Sequence, residues 1–209
     1  MRSPALAMLW QLWNRHRLGL SISGACLLVM IAAFPPLLRA FPEPYVLAGT
    51  WIPPVLIFAY VGNLLTFTDE VGSMTSGYPR RMYTLPVTTA TLVFWPMFFA
   101  TVAVVSFWFV VAVLVYRPAG FHPPLVLPAL ALAVGGAWAQ TVSWSPVKVQ
   151  YLRLVGAIIG FWILVGSPYC LLLQNSVTAT TLTALGLFEL AVVYGLGLLA
   201  VRYDRRGDD

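Results

Sequence analysis

Charged side chains are scarce in this chain of 209 residues, in which Asp, Glu, Lys and Arg together make up 9%. Soluble domains carry about 25% charged residues. Hydrophobic residues make up 60% of the chain and its mean hydropathy is +0.84. A soluble domain of this size could not cover that much apolar surface, so the composition excludes one and predicts that lipid is the missing solvent partner.

Residues that carry catalysis or hold metals are also rare. The chain has two cysteines, Cys26 and Cys170, two histidines, His16 and His122, and a single lysine, Lys148. Both cysteines lie inside apolar runs, which predicts small buried hydrophobic side chains and not metal ligands. The motifs G-x-x-x-x-G-K-[ST], H-E-x-x-H and G-x-S-x-G are absent. We therefore expect no catalytic residue, no metal site and no cofactor on this chain.

Six long apolar runs fill most of the sequence. A helix needs about 20 apolar residues to cross a hydrocarbon core of ~30 Å, and all six runs are close to that length. They are continuous, unlike the alternating segments of about 10 residues in transmembrane barrels. The sequence predicts an all-α transmembrane fold, a six-helix polytopic bundle forming a single domain, 1–209. The predicted helices are 18–38, 46–65, 91–116, 125–141, 152–173 and 179–201.

The first 17 residues differ from the runs that follow. Their apolar residues recur at roughly helical spacing, which predicts an amphipathic helix over 1–17 lying in the membrane interface, with its Trp rings at headgroup level. These residues are Leu6, Leu9, Trp10 and Trp13. A plain N-terminal tail is the alternative. A signal peptide is not expected, because the next apolar run is too long for one.

The distribution of Lys and Arg predicts the orientation. With a cytoplasmic N-terminus, ten of the twelve fall on the cytoplasmic side and only Arg39 and Arg117 fall outside. The ten are Arg2, Arg15, Arg17, Arg80, Arg81, Lys148, Arg153, Arg202, Arg205 and Arg206. The positive-inside rule therefore predicts a multi-pass protein of the cytoplasmic (inner) membrane with both termini in the cytoplasm.

One ionisable residue, Glu189, lies deep within a predicted helix. It is about ten residues from the outer end of the last run, and so about 15 Å deep. A carboxylate there costs several kcal/mol, so Glu189 should face the protein interior. Candidate polar partners are Tyr194, Asn63 and Gln140. Two interpretations stay open: a polar point on a substrate path or coupling element, and a structural hydrogen bond between helices.

Glycine and proline add expectations about helix packing and shape. Gly156 and Gly160 form a G-x-x-x-G pattern that allows close helix approach, either within the chain or at a dimer face. Several prolines fall in or near the runs and are expected to kink helices. They are Pro35, Pro36, Pro53, Pro54, Pro96, Pro128 and Pro168.

The longest polar interval, residues 66–90, lies between the second and third runs. It contains Asp69, Glu70, Arg80 and Arg81, and the orientation above places it in the cytoplasm. A chain this apolar that keeps such a segment in water is expected to present it to a partner. The alternative is a solvated loop whose arginines only set the topology.

Within this interval the sequence resembles the ABC-2 type permeases, the membrane subunits of a class of ABC transporters. Acidic residues, then Gly77, then Leu85-Pro86-Val87-Thr88-Thr89 stand where that family has an acidic residue, a glycine and "LP" with small hydroxyl residues. The resemblance covers the whole chain in architecture and some 25 residues in motif. It implies a permease without its own ATPase, paired with a second copy or a sister permease.

The resemblance also implies how the transporter is powered. A separate ABC ATPase subunit, which binds the ATP, would take the 66–90 segment as a coupling helix in a groove, with no role for nucleic acid. The ATPase-coupling residues are then Arg80, Arg81, Leu85, Pro86, Val87, Thr88 and Thr89. Pro86 can begin a helix and Thr84 can cap it. The two arginines can pair with acids of the partner or with lipid phosphates.

One departure from the family pattern limits the resemblance. Many members have re-entrant helices or a sizeable outer segment between the fifth and sixth helices, whereas only residues 174–178 separate them here. This predicts a reduced or divergent branch of the family. One half of a longer permease is also expected as an alternative, because the sequence ends in the polar tail 202–209 with no further domain. Two other classes stay open: a structural or assembly membrane protein, and a membrane-embedded enzyme acting on lipid.

Overall fold

The computed structural model describes residues 4–40, 87–118, 120, 122–145, 155–156, 158–160, 162–163 and 178–206. Four long helices account for most of these residues, and no strand occurs among them. We number them α1 (Pro4–Ala40), α2 (Thr89–Val111), α3 (Val126–Trp144) and α4 (Ala179–Arg206). A π-helical turn, Ala112–Tyr116, extends α2.

Three of these helices are long and apolar enough to cross a membrane: Thr89–Tyr116, Val126–Ser143 and Ala179–Arg205. An all-helical membrane fold is therefore supported, and the runs predicted at 91–116, 125–141 and 179–201 are helical. The run at 46–65 and most of 152–173 lie outside the described residues, as does most of the 66–90 segment. The count of six and the position of the termini thus stay predictions.

The N-terminal part of the chain differs from expectation. A single helix of 37 residues covers both the predicted interfacial helix and the first predicted crossing, without a break between residues 17 and 18. At 1.5 Å per residue it is about 55 Å long, well beyond the ~30 Å hydrocarbon core. Leu6, Leu9, Trp10 and Trp13 are all exposed. Met8, on the opposite face of the same turns, is buried against the bundle.

Side-chain contacts give the relative directions of the helices. α1 and α2 are parallel, because Met8 belongs to the cluster that contains Leu92, whereas Met30 packs against the cluster that contains Val111. α3 and α4 are also parallel. A Cβ built on Gly186 would meet Leu130, and one built on Gly197 would meet Thr141. α2 runs against both, since Trp108 near its end donates to the carbonyl of Leu125, which immediately precedes α3.

Two apolar clusters form the core, one at each end of α2. The first joins the start of α2 to the ends of α3 and α4 through Leu92, Trp144 and Val201, all 0% exposed. The second surrounds the end of α2 and includes Trp108 and Tyr116. Burial of such large side chains stabilises helix contacts through close packing, which is the main source of helix association in lipid.

Proline and cysteine depart from expectation in two places. Pro128 lies in the first turn of α3, where backbone amides have no intrahelical acceptor. Its lack of an amide hydrogen therefore breaks no helix hydrogen bond, and Pro128 is not a kink site. Pro96 is inside α2 and buried, and the helix continues past it. Cys26 was predicted to be buried but is exposed on α1. Cys170 lies outside the described residues.

Candidate functional site

The start of α2 contains three of the predicted coupling residues, Val87, Thr88 and Thr89. Thr88 is the N-cap, with extended backbone at φ −69° and ψ 149°, and its hydroxyl oxygen accepts from the Thr91 amide at 3.3 Å. Its Oγ1 also lies 2.8 Å from Thr91 Oγ1. A threonine cap of this kind is typically worth about 1 kcal/mol. The helix therefore begins at Thr89 for a local reason that the sequence contains.

This start corrects the predicted coupling helix. A helix begun at Pro86 and capped by Thr84 would have continued through Val87 and Thr88. Instead Val87 lies in a bend and Thr88 is non-helical. Thr88 is the cap of this helix, because its hydroxyl oxygen accepts from the amide of Thr91, three residues further on. Thr84 and Pro86 themselves lie outside the described residues.

The end of α4 meets the start of α2 through Arg205. Its guanidinium Nη1 donates to Thr89 Oγ1 at 3.2 Å and, more weakly, to the carbonyl oxygen of Val87 at 3.5 Å. We call Val87, Thr88, Thr89 and Arg205 the coupling junction. Hydrogen bonds from a charged donor stabilise by about 1.5–3 kcal/mol when buried. Arg205 is half-buried, so its contribution belongs at or below the lower end.

Apolar packing holds the coupling junction in place. Val87 packs against the first core cluster, which contains Leu92 of α2 and Val201 of α4. Arg205 lies in the last turn of α4, where a cation interacts favourably with the helix dipole. The coupling junction is therefore a half-buried polar contact that packs on the first core cluster, at one end of the bundle.

Sequence reasoning predicted one side of this junction and missed the other. Val87, Thr88 and Thr89 lie at the start of α2, and their coupling role stays a prediction; Arg80, Arg81, Leu85 and Pro86 lie outside the described residues. Arg205 had been used only in the count of cytoplasmic charges. Its partner Thr89 is 116 residues away in sequence, and no local pattern around Arg205 indicates it. Only the antiparallel packing of α2 and α4 brings the two together.

The predicted intramembrane polar group does not assemble among the described residues. Tyr194, a proposed partner of Glu189, has its hydroxyl 3.3 Å from Thr101 Oγ1 on α2. Gln140 is buried, at 1% exposed, but the register of α3 and α4 places it level with Leu196. That is two turns from Glu189, or roughly 10 Å along the axis. Glu189 is half-exposed, and Asn63 lies outside the described residues.

A different polar group links α3 to α4. Thr141 is buried, and its Oγ1 lies 3.0 Å from the Ala137 carbonyl of its own helix and 3.2 Å from the Val193 carbonyl of α4. A Cβ built on Gly197 would lie 3.2 Å from the same oxygen. The glycine thus leaves room for the hydroxyl to reach the neighbouring backbone. Sequence analysis identified neither residue; a threonine in the fourth run and glycines in G-L-G were the available signal.

The predicted G-x-x-x-G pair behaves unequally. A Cβ built on Gly160 would overlap the indole ring of Trp138 on α3, so this glycine does lie at a close approach within the chain. No described atom lies within 4 Å of a Cβ built on Gly156. Gly186, which was not predicted, lies at an equally close approach to Leu130. Packing inside the chain therefore accounts for Gly160 without a dimer face.

No group of three or more His, Cys, Asp and Glu side chains comes together in the part of the chain that the structure describes. The chemistry that the described residues offer is thus hydrogen bonding at the coupling junction and helix packing, with Glu189 on one face of α4. Comparison with family models, with curated proteins and with solved structures gave no significant match.

Proposed function

We propose that this chain is a permease subunit of an ABC transporter, moving a substrate across the cytoplasmic membrane with energy from a separate ATPase subunit docked on the 66–90 segment. The observation that carries the proposal is the coupling junction. The motif residues Val87, Thr88 and Thr89 stand at the entry to an apolar helix, and Arg205 ties that entry to a second apolar helix. A partner acting on the segment would therefore act on two membrane helices together.

The helix directions also support this proposal. Six alternating crossings would give the first and third runs one direction and the fourth and sixth runs the other. α1 and α2 are parallel to each other, and α3 and α4 are parallel to each other and opposite to α2. This arrangement is compatible with the permease topology, in which the coupling junction would lie at the end that the positive-inside rule assigns to the cytoplasm.

Purification of the tagged chain at native level tests the proposal. We expect an ATPase subunit with a Walker A loop to co-purify, because this chain lacks one. Leu85→Asp should abolish recovery, since a buried carboxylate in the docking groove costs several kcal/mol. Pro124→Asp, an apolar-to-acidic change at an exposed position at the opposite end of α2 and α3, is the matched control and should leave recovery unchanged. Failure of the unaltered chain to recover any ATPase refutes the proposal.

A structural or assembly membrane protein is the second candidate. The observation favouring it is the interior of the described helices, where Gln140 and Thr141 are the only buried polar residues and the remaining buried side chains are apolar. A scaffold needs no polar path. Recovery of a stable complex without any ATPase, unaffected by Leu85→Asp, would favour this candidate over transport.

A further inference from the structure

We propose that Arg205 is a positioning residue that makes the adjoining ends of α2 and α4 move as one body when the ATPase acts on the coupling segment. This inference rests on the proposed function and extends it to a named transmission contact. It assigns the C-terminal end of the last helix a part in coupling, in addition to the 66–90 segment.

The position of the two acceptors is the first step of the argument. Arg205 donates to Val87, which precedes the N-cap, and to Thr89, which is the first residue of the helix. It therefore spans the point at which the chain passes from the coupling segment into α2. A displacement of the segment reaches Val87 before it reaches the helix, and the guanidinium carries the same displacement to α4.

The surroundings of the contact are the second step. Val201, one turn before Arg205, is 0% exposed in the same core cluster as Leu92, one turn into α2. Apolar attraction is non-directional, whereas a hydrogen bond fixes the direction from donor to acceptor. Both acceptors lie against Nη1, whose two hydrogens are fixed in the guanidinium plane, so this one nitrogen can hold the two acceptors in one geometry. The contact thus adds a directed link to the apolar packing at this end of the two helices.

Spin-label distance measurements in the reconstituted permease–ATPase complex test this role. Labels would be placed at Val102 on α2 and Leu199 on α4, both exposed, with Cys26 and Cys170 replaced by alanine. In the unaltered chain we expect one narrow distance distribution, unchanged between the nucleotide-free and ATP-bound complex. Arg205→Gln should match it without nucleotide and give a broadened or shifted distribution with ATP. Arg205→Lys, which keeps the charge but loses the planar guanidinium, should fall between the two.

Two controls separate transmission from stability. Arg202→Gln removes an exposed arginine three residues earlier and should behave as the unaltered chain. Val201→Ala loosens the packing but leaves both hydrogen bonds, and should not reproduce the ATP-dependent change. If Arg205→Gln fails to fold, Thr89→Val, which removes one acceptor, carries the same expectation.

Three results overturn the inference, and they are distinguishable. If Arg205→Gln gives the same distance distribution as the unaltered chain both without nucleotide and with ATP, in an intact complex, the transmission role is wrong. Broadening that is already present without nucleotide, or that Val201→Ala reproduces, reduces Arg205 to a static contact. An unaltered chain that never binds the ATPase overturns the proposed function first, and the transmission role falls with it.

Discussion

Of the three glycines in α4, Gly186 leaves the least room for a side chain. A Cβ there would overlap the Leu130 side chain, whereas none of the described atoms lies within 4 Å of a Cβ at Gly195, on another face of the same helix. Replacing Gly by Ala within a helix stabilises the helix by about 1 kcal/mol through its higher propensity. Forcing the extra methyl group into a packed contact destabilises the fold by about 1–3 kcal/mol. We expect Gly186→Ala to lower the thermal unfolding temperature in detergent and Gly195→Ala to raise it or leave it unchanged. Equal shifts would contradict the close approach.

Thr141 contributes a hydroxyl at the same helix pair. Thr141→Val keeps the side-chain shape and removes the hydrogen bond to the Val193 carbonyl. Hydrogen bonds between membrane helices average about 0.6 kcal/mol, because the helices find other partners when separated. We therefore expect a small loss of unfolding free energy, of that order, measured by reversible unfolding in mixed micelles. Thr141→Ser retains the hydroxyl and should recover the hydrogen-bond part of the loss.

The first turn of α2 is capped by the side chain of Thr88. Thr88→Val removes the oxygen that accepts from the Thr91 amide and leaves the β-branched shape intact. A cap is worth about 1 kcal/mol, so amide hydrogen exchange over the first turn should accelerate about fivefold. Thr88→Ser should show no such change. If Thr88→Val left amide exchange in the first turn of α2 unchanged, Thr88 would not be the cap and the helix would begin elsewhere.

Helix limits show what hydropathy can and cannot predict. The apolar runs at 91–116, 125–141 and 179–201 located α2, α3 and α4, because a continuous apolar run is a direct signal of a helix in lipid. The ends were less accurate, since hydropathy measures apolar length and not helix length. α4 continues through Arg202 and Arg205 to Arg206, and α1 joins the amphipathic and apolar segments into one helix.

Labelling of cysteines introduced at the two ends of the bundle tests the orientation of the whole molecule in the membrane. His122→Cys and Tyr203→Cys introduce thiols at exposed positions near opposite ends of the described helices, in a chain with both native cysteines replaced. The positive-inside rule predicts that a membrane-impermeant maleimide labels position 122 in intact cells and position 203 only after permeabilisation. The reverse pattern would place the coupling junction outside and contradict both proposals.

In the candidate site, too, residues with a local signal could be found from the sequence, whereas contacts set by helix packing could not. The resemblance singled out Val87, Thr88 and Thr89 from local residue order, but capping rules applied to the sequence named Thr84, whereas the cap of α2 is Thr88. Arg205 could not be found from local residue order, since its role arises only when α4 packs antiparallel to α2. Glu189 and Gln140 were grouped because both are polar in apolar runs. The α3–α4 register separates them, and register is not encoded by polarity alone.

Parallel packing of α3 and α4 has a consequence for how the protein is made. Two parallel neighbours cannot form as a hairpin, so the Leu130–Gly186 contact must wait until the chain between them has been synthesised and has returned across the bundle. Contacts between residues distant in sequence form late and slowly. Trp144, which is fully buried in the finished molecule, therefore lacks its neighbours Val193 and Val201 until α4 has been made. The core at this end of the bundle is thus completed only when α4 joins it.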